Sequence, residues 1–265
     1  MCFDLDSRPP IPPLAGAAVD GQLITLRTAD GTQFSAFHAV PDAPTGAAIM
    51  ILPDVRGLHT FYEELALRFA EAGVEALSID YFARSAGLKS GDNRGESFDY
   101  QPHVGQIEWD NVVADMRAAT AYLHARPGVH ALFSTGFCMG GRFAYDSGTE
   151  ADLSLSGVIG FYGWPAPGGG RGGSPSPTER AAEFTCPVLG LFGGADQGIP
   201  QNVVDDFERA LSGAGIEHDI VSYPGAPHSF FDRKAAEFHD ASTDAWRRTL
   251  AFISDHTPRE NAAAA

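Results

Sequence analysis

Residues 134–142 read STGFCMGGR. A cysteine stands between glycines where an apolar run, HALFSTG (130–136), gives way to a helical pattern, FCMGGRFAYDSG (137–148). A buried structural thiol has no need of that setting, whereas a nucleophile does. Gly136-Phe137-Cys138-Met139-Gly140 fits the G-x-nucleophile-x-G turn between a strand and a helix, with cysteine as the nucleophile. The turn holds its central residue in a strained conformation, and its neighbours must lack side chains where strand and helix pack closely. It also sets the sulfur at a helix N-terminus, where the helix dipole favours thiolate, the reactive form.

On either side of this turn the chain alternates between strand and helix patterns. After a proline-rich start, QLITLRT and QFSAFHAV flank Asp30-Gly31, a hairpin signal. AAIMIL (47–52) is a continuous apolar run, as in a strand covered on both faces. TFYEELALRFAEAG (60–73) has helical periodicity and ends at Gly73, and VEALSID (74–80) reads as the next strand. A long amphipathic helix is expected over 110–126, then strands over 130–136, 156–163, 186–194 and 217–225, with helices over 201–215 and 234–254. Residues 165–178, PAPGGGRGGSPSPT, read as a surface loop. The pattern predicts one α/β domain over 21–256, an irregular segment 1–20 and a flexible tail 257–265. Its central sheet is mostly parallel, with helices on both faces and a leading N-terminal hairpin.

Sites in such sheets lie beyond the carboxyl ends of the strands. Val55 follows the strand at 47–52, Cys138 the strand at 130–136, Asp196 the strand at 186–194 and His228 the strand at 217–225. A five-residue G-x-C-x-G pattern arises by chance, but an acid and then a histidine, each after its own strand, complete a nucleophile–acid–histidine order. His228 would serve as general base and then acid, with Asp196 holding its tautomer. The N–H groups of Met139 and Val55 would form an oxyanion hole.

Composition narrows the alternatives. The chain has 265 residues, 44% of them hydrophobic, and a formal net charge of -16. That field repels nucleic acid and anionic membranes, so any anion site must rest on locally placed arginines. Three cysteines, Cys2, Cys138 and Cys186, form neither a disulfide framework nor a zinc spacing. Cys186 is expected to be buried and inert. His59, His103, His124, His130, His218, His239 and His256 show no ligand spacing. Without a leader pattern or a spanning apolar run, a reducing cytoplasmic location is expected.

The sequence resembles the dienelactone hydrolase family of α/β-hydrolases over roughly residues 20–256. The resemblance is carried by GFCMGG, GGAD, APHSF, YFARSAG and PDVRG. It implies hydrolysis of a lactone or ester through a thioester, the type reaction opening dienelactone to maleylacetate, with no metal and no organic cofactor. It places Asp54 where the family's glutamate helps to deprotonate the thiol, and Arg84 where an arginine holds the substrate carboxylate. The alternative for Asp54 is to cap the helix near Thr60 or to pair with Arg56, and for Arg84 to be a surface arginine offsetting nearby acids. The family's second carboxylate-binding arginine falls on Asp232, with Arg233 one residue later. An aspartate facing an anionic substrate would repel it. Tyr81, Tyr162, Trp164 and Phe230 are candidate pocket residues, or ordinary core aromatics. The expected partner is a small lactone or ester, with an activated leaving group preferred by a thiolate, and the chain would be a monomer or homodimer. The other readings are a hydrolase of bulkier, neutral esters in secondary metabolism, or a non-catalytic ligand-binding homologue.

Overall fold

The computed structural model describes residue 4, residues 6–14 and residues 19–258. Cys2 lies outside the described residues. Strands β1 (Val19–Arg27) and β2 (Gln33–Pro41) form the antiparallel hairpin expected around Asp30-Gly31, where Gly31 takes φ 90°. The other strands are β3 (Ala47–Leu52), β4 (Glu75–Ile79), β5 (Ala131–Phe137), β6 (Gly157–Phe161), β7 (Val188–Gly193) and β8 (His218–Tyr223). All eight join one sheet in the order β1-β2-β4-β3-β5-β6-β7-β8. β2 pairs antiparallel with β4, and every pair from β4 to β8 is parallel. Every residue of β3 through β7 is buried, which explains why these strands read as unbroken apolar runs.

The helices are α1 (Thr60–Glu71), α2 (Ala83–Ala86), α3 (Gln101–Val104), α4 (Trp109–His124), α5 (Met139–Ser147), α6 (Gln201–Ala214) and α7 (His239–Asp255). Strand parity assigns them to faces. Phe133 and Phe137, four residues apart on β5, meet Phe252 of α7 and Phe61 of α1. Gly136, on the opposite face, lies against α5. On that face Trp109 of α4 and Phe207 of α6 pack against Phe143 and Tyr145 of α5.

Local chemistry sets the helix ends. His59 Nδ1 accepts the Phe61 N–H at 3.2 Å and caps α1, so the cap is not Asp54. At the other end Gly73 takes φ 85°, and the N–H groups of Gly73 and Val74 return to the carbonyls of Ala70 and Phe69. The last helix starts at His239 rather than at residue 234. Residues 229–238 are spent in turns that bury Phe230 and Phe231, and Ser242 Oγ donates to the Phe230 carbonyl at 2.9 Å. α2 and α3 are single turns too short for periodicity to reveal. Among the described residues no helix is long and apolar enough to cross a membrane.

The two glycines flanking Cys138 are steric necessities. A Cβ on Gly136 would lie 1.9 Å from the Gly140 carbonyl oxygen, and one on Gly140 would lie 2.0 Å from the Leu52 carbonyl oxygen. Backbone cannot yield there as a flexible side chain could. Gly140→Ala is therefore expected to lower stability by about 2 kcal/mol or more. Urea unfolding checks this, and an unchanged midpoint would mean that β3 and α5 do not approach so closely.

Candidate active site

Cys138 is the one residue between β5 and α5 and takes φ 55° and ψ −111°. Its N–H donates to the Phe161 carbonyl at 3.0 Å, and its own carbonyl accepts from the Arg142 N–H at 3.2 Å. The backbone is thus fixed on both sides while the side chain remains partly exposed. Among the described residues four non-glycines have positive φ: Cys138, Ser154, Tyr162 and Ser229. Cys138 and Tyr162 line one cavity, and Ser229 follows His228, which also lines it. Strained backbone gathers where a site over-determines its geometry.

Asp196 follows β7 and is buried. Its Oδ1 accepts the N–H groups of Gly198 and Ile199 at 2.7 and 3.2 Å, and its Oδ2 lies 2.6 Å from His228 Nδ1. An Nδ1–H donated to a carboxylate puts the acceptor lone pair of a neutral imidazole on Nε2. The Tyr162 ring packs on the imidazole, with centroids 4.9 Å apart. Phe230 packs behind Tyr162 at 5.7 Å and is fully buried.

The cavity holds about 200 Å³, and Val55, Met139, Phe143, Tyr162, Trp164 and Ile199 give it a largely apolar wall. Val55 follows β3 and Met139 opens α5, so both predicted oxyanion residues border the space beside Cys138. Two cations also line it, Arg142 and Arg171. Neither was singled out in the sequence, although Arg142 directly follows the glycine pair and Arg171 sits in the glycine- and proline-rich loop. Among the described residues no group of three His, Cys, Asp or Glu side chains is placed to share a metal ion.

Other predicted residues lie elsewhere. Both Asp54 oxygens accept from the Arg56 guanidinium, at 2.9 to 3.1 Å. Arg56 also donates to Asp232, to the Ser7 hydroxyl and to the Asp4 carbonyl. Asp232 therefore faces Arg56 instead of the cavity, and burial, opposed by Arg56, pushes its carboxyl up to about 6. Arg84 donates to both oxygens of Asp115 at 2.7 Å and, with Tyr81, borders a separate hollow of about 20 Å³. The Tyr81 hydroxyl donates to the Pro53 carbonyl at 3.1 Å. Arg233 is exposed, and neither it nor Phe230 borders the Cys138 cavity. Cys186 is buried, and burial pushes its thiol up to about 12. A hollow of about 440 Å³ lies away from Cys138, and its only titratable group, His130, contacts the Gly128 and Pro258 carbonyls.

A strained thiol turn at the centre of a mostly parallel sheet, with an acid–histidine pair on later strands, defines an α/β-hydrolase. The chain matches the "Dienelactone hydrolase family" profile over residues 34–257 and belongs to that family. It is a hydrolase. It is 27% identical over 261 residues to a Salmonella typhimurium protein named "Putative carboxymethylenebutenolidase", covering 93% of both chains. It is also 27% identical over 215 residues to a Bradyrhizobium protein named "Probable 2-oxo-3-(5-oxofuran-2-ylidene)propanoate lactonase", covering 79% of this chain and 84% of that one. The crystal structure of a Klebsiella pneumoniae protein described as "Putative Dienelactone Hydrolase" superposes with a TM-score of 0.76 at 28% identity. That match covers 89% of this chain and 99% of the other.

Behind the cavity wall, Asp146 is fully buried with its Oδ2 3.6 Å from Arg142 Nε. Burial, opposed by Arg142, pushes its carboxyl from 3.8 up to about 8. The folded chain therefore keeps a proton that the unfolded chain releases, so this group's contribution to stability falls as pH rises from 4 through 8. Asp146→Asn should flatten that fall, by at most roughly 1.4 kcal/mol per pH unit. Urea unfolding of both proteins at acid, neutral and mildly alkaline pH checks it, and parallel curves would show that the carboxyl does not titrate there.

Proposed function

We propose that this hydrolase opens a small lactone, or cleaves an activated ester, through a thioester on Cys138. The observation carrying this reading is that the strained Cys138 and the Asp196-bonded His228 border the same cavity of about 200 Å³. His228 accepts the thiol proton, and the thiolate attacks the acyl carbon. As the C–S bond forms, the carbonyl electrons move to oxygen, where the Val55 and Met139 N–H groups stabilise them. Collapse breaks the C–O bond, and the leaving oxygen, released as an alcohol or enolate, takes the proton from His228 and so frees the imidazole to act again. Water, deprotonated by His228, then attacks the thioester and expels the thiolate. One water is consumed overall, and Asp196 stays ionised throughout.

Two features support a small, activated substrate. The cavity is below the roughly 300–1,000 Å³ of drug-sized sites. A thiolate also suits esters whose leaving group is already stable, such as enol-lactones and aryl esters. The names of the relatives point to lactones of this kind. Asp232 does not argue against an anionic substrate, because its charge is directed at Arg56.

We assign thiol activation at rest to His228. Activation by Asp54 would require that carboxylate to give up its bonds to Arg56. His228→Asn is accordingly expected to slow iodoacetamide labelling of Cys138 at pH 7 by about tenfold, with Asp54→Asn within about twofold of wild type. The reverse order would return the role to Asp54.

Ultraviolet-monitored hydrolysis of cis-dienelactone and of 4-nitrophenyl acetate tests the function. Cys138→Ala should lower kcat on whichever ester is turned over by about a thousandfold or more. Activity surviving in Cys138→Ala would remove the thioester route.

A further inference from the structure

We propose that Arg171 selects the substrate's charge: an anionic group set away from the scissile carbonyl pairs with its guanidinium at the cavity that holds Cys138. This rests on the ester-hydrolase reading above. The two cations lining that cavity differ in availability. The Arg142 guanidinium is spent on the loop after β6. Its Nη1 donates to the carbonyls of Trp164, Ala166 and Gly168, its Nε to the Ser174 hydroxyl, and its Nη2 to the carbonyls of Ser174 and Pro175. Arg142 is therefore a positioning residue that gives the loop its shape.

Arg171 stands on that fixed loop. Its carbonyl accepts the Ser174 N–H at 3.1 Å, and the next carbonyl, of Gly172, accepts the Trp109 N–H at 2.8 Å at the start of α4. A Cβ at Gly172 would lie 2.4 Å from the Ile107 carbonyl oxygen, so loop and body touch there. The backbone of Arg171 is thus tied on its C-terminal side, while its side chain is exposed and lines the cavity. Among the described residues it makes no ion pair and no side-chain hydrogen bond.

That is unusual in this chain. Acidic residues outnumber basic ones 34 to 18, and Arg56, Arg84, Arg94, Arg126 and Arg180 all meet acidic side chains. Among the described arginines only Arg27, Arg171 and Arg233 have no ion pair, and of these only Arg171 borders the cavity with Cys138 and His228. A guanidinium fork matches a carboxylate through two parallel hydrogen bonds. In a strongly negative protein, that one fork is where an anionic substrate would be held. Arg84, paired through Nη1 with Asp115 beside another hollow, is not so placed.

The test compares mono-4-nitrophenyl adipate, an anion, with 4-nitrophenyl hexanoate, its neutral counterpart of equal length. The wild type should prefer the anion. Arg171→Gln should lower kcat/KM on the adipate about fivefold or more and change the hexanoate less than about twofold, and Arg171→Glu should reverse the preference. Raising the salt concentration should narrow the wild-type difference. Equal losses on both esters, no loss, or a selective loss in Arg84→Gln instead would overturn the assignment. If the wild type turned over only the neutral ester, Arg171 would lose its role while the hydrolase reading stood. Turnover of neither would overturn the assignment together with the activated-ester half of that reading, and cis-dienelactone would then test the lactone half.

Discussion

Cys138 keeps a backbone conformation that its β-carbon resists because β5 and α5 leave it no alternative. Its N–H is held by the Phe161 carbonyl of β6, and its carbonyl by the first turn of α5. Gly136 and Gly140 let that helix close to within a Cβ's width of strand β5 and the end of β3. This contact brings Met139, at the start of the helix, and Val55, just after β3, to one cavity. The later strands then need only deliver Asp196 and His228 to the same end of the sheet, which parallel pairing from β3 to β8 does. A substitution at either glycine would thus disturb the nucleophile and the proposed oxyanion hole together.

Electrostatics organises the rest of the site. Arg56 gathers Asp54, Asp232 and the N-terminal residues Asp4 and Ser7, while Arg142 gathers the carbonyls of the loop after β6. Both guanidiniums are buried, where an unmatched charge would be costly, and both are matched by several acceptors. Arg56 directly follows Val55 of the cavity wall, and Arg142 lines the cavity while holding the Trp164–Pro175 loop.

The pattern of strands and the G-x-C-x-G turn were legible in the sequence because each is local. Hairpin chemistry at Asp30-Gly31, unbroken apolar runs and paired glycines all express constraints between near neighbours. The order of Cys138, Asp196 and His228 was legible because parallel strands place their carboxyl ends together. Beyond Asp196–His228 and the Asp54–Arg56 alternative, side-chain pairing was not legible. Arg56 meets Asp232 from 176 residues away, and Arg84 meets Asp115 from 31 residues away. No spacing rule encodes such partners, so Arg84 read as a substrate ligand and Asp232 as a residue facing the substrate. Arg171 was missed because a glycine- and proline-rich loop shows no periodicity, and Arg142 because its partners are carbonyls 22 to 33 residues further along the chain. The start of α7 was misjudged because residues 234–238 have helical composition but lie in turns that follow the buried Phe230 and Phe231.

The most direct measurement is acid-quenched mass spectrometry of the enzyme during turnover of 4-nitrophenyl acetate, followed by peptide mapping. If Cys138 is the nucleophile, one acetyl group will be found on the peptide containing Cys138. It will be absent from Cys186 and will disappear in Cys138→Ser, where any acyl group would be an oxygen ester stable to hydroxylamine at neutral pH. Turnover with Cys138 unmodified, and acetyl on another residue or none, would contradict the thioester mechanism.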